Sequence, residues 1–264
     1  MMKKVFIMII GAALLCGCST KDKDMKLNLF ATMPSLEEGF EKGVSACYGA
    51  IYNDTLYVAG GCNFPEKPVT EGGIKRYYKG ILKTASQQVD KTTRWEKVGE
   101  MPATSAYGAN IQCDDKWIIA GGMNENGATK KVICINLNDN CSVENLPELP
   151  YAIDNTAGTM TSIDENTMVA AGGVNRDIFE DAISGRYELV SKADYMHKAP
   201  EWYKFNQYLM IYDVEKKAWK TLDKNKIYAR AGALILSSEK GIFYIGGELK
   251  PGVRTPEIHL LTVD

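Results

Sequence analysis

Short apolar runs recur along this chain, each closing on a pair of glycines and flanked by polar turns. They are LYVAGG to Gly61, WIIAGG to Gly122, MVAAGG to Gly173 and FYIGG to Gly247. A stretch of small residues precedes each one: CYGA at Cys47, AYGA at Ala106, NTAGT at Asn155 and ARAGA at Ala229. Between that start and the doublet lies YNDT, CDDK, IDEN or SSEK, all rich in turn-forming side chains. Apolar runs bounded by such turns predict strands, so each unit opens with a two-strand hairpin. A third strand follows the doublet, as in KKVICINLND and NQYLMIYDVEKK. A fourth ends at a proline, as in RWEKVGEMP to Pro102 and SVENLPELP to Pro150. The paired glycines let the chain turn where a Cβ would clash.

Four-strand units with this grammar resemble kelch repeats, which run to about 50 residues per blade of a propeller. The resemblance implies an all-β fold, a kelch-type β-propeller with four recognisable blades over residues 27–264, with Trp95 and Trp219 packed between neighbouring blades. A β-sandwich with chance Gly-Gly turns is the alternative, and four doublets in one local context argue against it. The last unit stops after a single strand beyond its doublet, TPEIHLLTVD. Residues 27–34, LNLFATMP, end as WEKVGEMP does, and are expected to close the last blade as its N-terminal outer strand. Such a shared blade would hide two sheet edges.

Two insertions interrupt the rhythm. CNFPEKPVTEGGIKRYYKG follows Gly61, and a longer one runs from VNRDIFEDAISG to EWYKFNQ after Gly173. The charged middle of the second reads as one or two short helices, with Pro200 breaking the last. Both leave from the end of a second strand, so both are expected over one mouth of the central channel, where function usually sits. Asn63, Asn124, Asn175 and Glu248 follow the doublets at that mouth. Asparagine tolerates left-handed backbone and caps turns, which alone accounts for it there. Glu248 breaks the pattern. Lys250 and Arg254 stand close behind it in GGELKPGVRT, and Pro251 with Gly252 turns that loop back. A carboxylate near a guanidinium suits an acid–base site that holds an anion; a surface ion pair is the plainer reading of the same residues.

Composition narrows the classes. At 45% hydrophobic and 24% charged, the chain can bury a core, which excludes wholesale disorder. A formal charge of -2 gives no general pull on nucleic acid. Two histidines, His197 and His259, serve a His-based metal site or a copper oxidase of kelch type poorly. The Ser-x-Asp-x-Gly-x-Thr-Trp box of sialidases is missing from the sequence. Cys47, Cys62, Cys113, Cys134 and Cys141 lack CxxC spacing; Cys134 and Cys141 flank a turn and could pair, although buried free thiols are the simpler expectation.

At the N-terminus, Lys3 and Lys4 precede an apolar run from Val5 to Leu15 that is too short to span a bilayer comfortably. The following Leu15-Cys16-Gly17-Cys18 resembles the lipobox of bacterial lipoproteins. The expectation is a signal peptide over residues 1–17, lipid on Cys18 and a polar tether over residues 18–26. The protein would then sit in the cell envelope and touch the membrane only through its lipid. A plain secretory signal with incidental cysteines is the alternative.

Several segments are similar to the sialic acid mutarotases, also called N-acetylneuraminate epimerases. They are GGELKPGVRTPEI, GGVNRDIF, EWYKFNQYLMIYD and EGGIKRYYKGI, the last with Glu71, Lys75 and Tyr77 at matching places. The likeness covers residues 27–264 in rearranged order, as in the cyclically permuted branch of the family: residues 27–155 resemble its final blades, and residues from 158 onward its middle. The family propeller has six blades, so about two are missing at that junction. The resemblance implies that Glu248 accepts a proton and that Arg254 binds substrate, with Lys75, Tyr77, Asn175 and Arg230 as further candidate contacts. Anomers of sialic acid interconvert by ring opening and reclosure, which requires a base and an acid but neither metal nor cofactor. Glu248 suits the base, Arg254 a clamp on the C1 carboxylate, and a Tyr, a Lys or a water the acid. A non-catalytic kelch module that binds glycan or protein is the rival class. The N-terminal pattern carries its own test: Cys18→Ala should move the protein from membrane to soluble envelope fractions, and unchanged fractionation would refute lipidation at that residue.

Overall fold

The computed structural model describes residues 29–86, 94–151, 158–164, 166–183 and 185–262. The chain divides into two compact units, Met1–Phe30 and Ala31–Asp264. The expected signal segment, Cys18 and the tether lie outside the described residues. The second unit carries the repeats as four antiparallel sheets, as expected for a β-propeller of kelch type.

The first sheet joins Tyr48–Tyr52, Thr55–Ala59, Gly80–Ala85 and Glu96–Glu100 in that order. The second joins Ala109–Cys113, Lys116–Ala120, Val132–Asn136 and Ser142–Leu146. The third joins Gly158–Asp164, Thr167–Gly172, Leu209–Asp213 and Ala218–Thr221. The fourth holds three strands, Leu234–Ser238, Gly241–Ile245 and Ile258–Leu261. Hairpin turns follow from the polar tetrads: in YNDT, Asn53 and Asp54 both take positive φ, the geometry of a tight turn matched to strand twist. Second strands such as LYVA and WIIA are continuous apolar runs because both of their faces are covered, WIIA by the sheets on either side and LYVA by one sheet and the segment that precedes it.

Those faces meet in series. Tyr48, Ile81, Trp117 and Ile135 form one buried cluster between the first and second sheets. Ile118, Cys134, Met168 and Met210 join the second to the third, and Val169, Leu209, Ile235 and Tyr244 the third to the fourth. Trp219 sits between the second and third sheets as expected, its Nε1 donating to Pro147 O at 2.8 Å. Trp95 does not. It lies on the outward face of the first sheet with Phe40, Val58 and Leu82, and its Nε1 donates to Thr32 O at 3.0 Å. The same bond corrects the expected closing strand. The described part of that segment, residues 29–34, forms no strand, and Thr32 and Met33 cover the first sheet rather than extend the fourth. Apolar cover for Val58 and Leu82 is the physical reason. On the fourth sheet Leu234, Leu236, Ile258 and Leu260 remain exposed.

The second insertion holds helix α1 (Arg176–Ile183), helix α2 (Lys192–Tyr195) and a 3-10 turn over Pro200–Tyr203. Pro200 therefore starts a turn rather than breaking a helix, since its fixed φ suits the first helical position. The first insertion forms a small hairpin of Cys62–Asn63 with Arg76–Tyr77. All five described cysteines, Cys134 and Cys141 among them, are free thiols.

Both glycines of every doublet take positive φ, from 59° at Gly246 to 120° at Gly173. At Gly60 a Cβ would also meet the Ser105 carbonyl oxygen at 2.4 Å, whereas at Gly43, with φ of 87°, nothing lies within 4 Å. Gly43, with ψ of 150°, holds a conformation open essentially to glycine alone, so Gly43→Ala should cost about 2 kcal/mol through backbone conformation. Gly60→Ala adds a backbone collision and should cost about 3 kcal/mol. Thermal or urea unfolding of the two variants checks the order; equal losses would show that backbone conformation alone matters at Gly60.

Candidate active site

Three of the four doublets hand the chain to a residue that bonds back to the start of its own blade. Ser45 pairs with Cys62, Ala106 with Met123 and Ala231 with Glu248, through reciprocal N–H···O bonds of 2.8–3.0 Å. This register corrects the grouping of Glu248 with the asparagines. Glu248 occupies the place held by Cys62 and Met123, which are 1% and 3% exposed, while Asn63 and Asn124 stand one residue further on. A carboxylate has therefore replaced a buried apolar side chain. Its own side chain is 31% exposed, and Arg254 Nη2 approaches Glu248 Oε1 at 2.8 Å.

The pairing follows from local chain geometry. Glu248–Lys250 and Val253–Arg254 form a short hairpin in which Glu248 faces Arg254, with Gly252 at φ of 77° in the turn. The sequence expectation that Glu248 and Arg254 meet is realised in this way. Arg254 is 71% exposed, so the ion pair contributes little to stability and its guanidinium is accessible to a ligand.

Two cavities share Ala231 and Glu248 in their walls. One, of about 320 Å³, is completed by Gly232, Gly247 and Arg254. The other, of about 300 Å³, is lined by aromatic residues of the second insertion, including Tyr187, Tyr195, Tyr203 and Phe205. The Tyr195 ring stands edge-on to Tyr203, with centroids 5.7 Å apart, and to Tyr187 at 6.5 Å. The Tyr203 hydroxyl donates to Tyr195 O. Lys250, two residues beyond Glu248, donates from Nζ to Lys198 O at 2.7 Å and to Met196 O at 3.1 Å, fastening this insertion to the Glu248 hairpin. Burial, and then the neighbouring Tyr203, Tyr187 and Glu248, push the Tyr195 phenol up from its ordinary value. These tyrosines were not singled out from the sequence. Three of them between residues 187 and 203 of an otherwise charged segment were the available signal.

The other candidates divide. Asn175 lines the aromatic cavity, but its Oδ1 accepts from Ile178 N at 3.2 Å and so caps α1. Asn63 is a structural bracket, donating to Gly39 O and Gly43 O and accepting from the Tyr78 hydroxyl. Asn124 holds a turn through Asn126 N. Lys75 and Tyr77 lie together in the first insertion and line neither cavity beside Glu248. The Lys75 ammonium stands 5.1–5.9 Å from the ring centres of Tyr107, Phe64 and Tyr77 and donates to the Tyr107 hydroxyl at 3.3 Å. Burial, with Cys62 alongside, pushes the Tyr107 phenol up to about 12.

Arg230 is turned inward, 1% exposed. Its guanidinium stacks 5.3 Å from the Tyr244 ring, donates to Gly246 O at 3.0 Å and pairs with Glu257 at 2.9 Å. That arrangement makes it a strut beneath the doublet, not a group presented to either cavity. Further off, Lys131 and Glu148 line a larger cavity of about 560 Å³ near Asn124, where they neutralise one another at 2.5 Å.

Comparison with known proteins adds the relatives. A family model described as NANM: N-acetylneuraminate epimerase matches residues 17–143 and 148–264. The chain is 28% identical over 247 residues to N-acetylneuraminate epimerase of Escherichia coli O157:H7, covering 86% of this chain and 60% of that protein. It is 25% identical over 237 residues to N-acetylneuraminate epimerase 1 of Escherichia coli O6:H1, with 84% and 58% covered. The chain thus spans about 60% of the length of these relatives. A solved structure, "Structure of YjhT", superposes with a TM-score of 0.60 at 22% identity, over 81% of this chain and 60% of that one, a likeness of fold.

The inward Arg230 gives a direct check on the division above. Arg230→Met should cost roughly 1–3 kcal/mol, because the Gly246 carbonyl loses a charged donor. Calorimetry with an acidic sugar should give the same result for the variant as for wild type. Loss of affinity without loss of stability would place Arg230 in the site instead.

Proposed function

The chain belongs to the N-acetylneuraminate epimerase family, and we propose that it interconverts the anomers of N-acetylneuraminate, with Glu248 as proton acceptor and Arg254 as carboxylate clamp. The observation that carries this reading is the 2.8 Å Arg254–Glu248 pair at a position that the first two blades fill with buried Cys62 and Met123. A carboxylate in that place gives up packing, and it stands in the walls of two cavities.

The geometry suits the chemistry. An exposed ion pair is worth about 0.2–1 kcal/mol, so a substrate carboxylate can draw Arg254 away from Glu248 at small cost. A guanidinium presents two parallel donors in one plane, which matches the two oxygens of a C1 carboxylate. Glu248 is then free to take the proton from the anomeric hydroxyl as the ring carbon–oxygen bond opens. The open-chain form closes on its other face when the transfers reverse.

A second reading has its own observation. The chain spans about 60% of its relatives, and its described residues build four blade sheets beside three two-stranded hairpins. Four blade sheets of this kind also fit a non-catalytic module that binds glycan or protein at the cell envelope.

Anomer exchange followed by NMR and sugar binding followed by calorimetry separate the two. Glu248→Gln should lower the exchange rate by about 10²–10⁴-fold while binding persists. Arg254→Ala should weaken N-acetylneuraminate binding by roughly 1.5–3 kcal/mol and leave a neutral N-acetylhexosamine unaffected. Arg254→Lys should recover only part of the loss, since an ammonium cannot match both oxygens at once. Wild-type exchange no faster than the uncatalysed rate, with acid binding intact, would favour the binding module. Equal affinity of wild type and Arg254→Ala would refute the clamp.

A further inference from the structure

Ring opening at Glu248 needs a second group, one that protonates the ring oxygen as its bond to the anomeric carbon breaks. Three tyrosines line the cavity that Glu248 borders. Tyr203 is almost fully buried and its hydroxyl is committed to Tyr195 O. Tyr187 also packs edge-on against Tyr195. The Tyr195 ring is held in orientation by two edge contacts, and it is only partly buried. Its hydroxyl has no hydrogen-bond partner among the described residues. Lys250 ties the chain on either side of His197 to the hairpin that carries Glu248, which keeps the Tyr195 segment and the carboxylate in register. The Glu248 charge is among the neighbours that act on the Tyr195 phenol.

We propose that the Tyr195 hydroxyl is the proton donor to the ring oxygen, acting across the aromatic cavity from Glu248. The inference rests on the anomer exchange proposed above and supplies the acid that it lacks. In the opening step the ring carbon–oxygen bond breaks and its electron pair stays on the ring oxygen, which takes the Tyr195 proton. The anomeric hydroxyl gives its proton to Glu248, and its freed pair completes the carbonyl. Closure on the opposite face runs both transfers backward, returning one proton to Tyr195 and leaving the other on the new anomeric hydroxyl. No electrons are exchanged and no other reactant enters. Burial favours the neutral phenol, so the donor is charged with its proton at neutral pH.

Tyr195→Phe is the discriminating variant, because it keeps the ring, both edge contacts and the backbone carbonyl that receives the Tyr203 hydroxyl. NMR exchange on the full chain should show kcat lowered about 10²–10⁴-fold, with KM within about threefold of wild type. Thermal unfolding should match wild type, which separates a lost proton donor from a lost fold. A kcat within about threefold of wild type overturns the proposal. So does a raised KM with unchanged kcat, which would make Tyr195 a binding contact only. If wild type itself shows no exchange above the uncatalysed rate, the exchange reading fails and takes the proton donor with it. The Tyr195→Phe result on an active wild type bears on Tyr195 alone.

Discussion

Every blade of this protein turns on two consecutive residues that must hold left-handed backbone at the end of a buried strand. At Gly60 and Gly122 a side chain would also run into a neighbouring carbonyl, so glycine is the residue that fits. The turn aims the N–H of the second glycine at the start of the next blade: Gly61 N donates to Ser105 O at 2.8 Å and Gly173 N to Arg230 O at 3.1 Å. It then returns the following residue to the start of its own blade, where Cys62, Met123 and Glu248 make their reciprocal bonds. Blade spacing, blade order and the position of the candidate base are all consequences of that one conformation.

The apolar faces between sheets follow from the same spacing, and the two ends of the series differ. The outer face of the first sheet is covered by Met33 and Phe40 from the segment before it. The last sheet shows Leu234, Leu236, Ile258 and Leu260 at its surface. Faces of that kind are buried wherever one sheet of this chain meets the next, which is how sheets with apolar side chains on both sides satisfy them.

The site draws on two kinds of structure. Glu248 and Arg254 belong to a hairpin built on a doublet, and so share the rigidity of the blades. The tyrosines opposite belong to an insertion with short helices, held by Lys250 and by packing of Tyr203 against Trp202 and Phe205. A rigid charged wall facing a mostly apolar one suits a sugar acid, which has a carboxylate at one end and carbon-bound hydrogens along its ring faces. The buried Arg230 stiffens the rigid side, linking the doublet carbonyl of Gly246 to Glu257 across the last sheet.

Much of this was legible in the residues alone. The four doublets, the polar tetrads and the apolar second strands specified the sheets, because strand burial and turn conformation are local demands that composition must meet. Glu248 and Arg254 could be paired for the same reason: six residues with Pro251 and Gly252 between them leave few ways to fold. Contacts between distant segments were not legible. Nothing in LNLFATMP distinguishes a strand on the last sheet from a cover on the first, since both bury the same apolar side chains. Arg230 and Lys75 read as candidate substrate contacts, yet one is sealed against Tyr244 and the other stands among Phe64, Tyr77 and Tyr107. The tyrosine cavity needed an insertion folded back onto a hairpin more than fifty residues away, as the Lys250–Met196 bond records. Local conformation is written in nearest neighbours, whereas the partner of a side chain is decided only when the whole chain has packed.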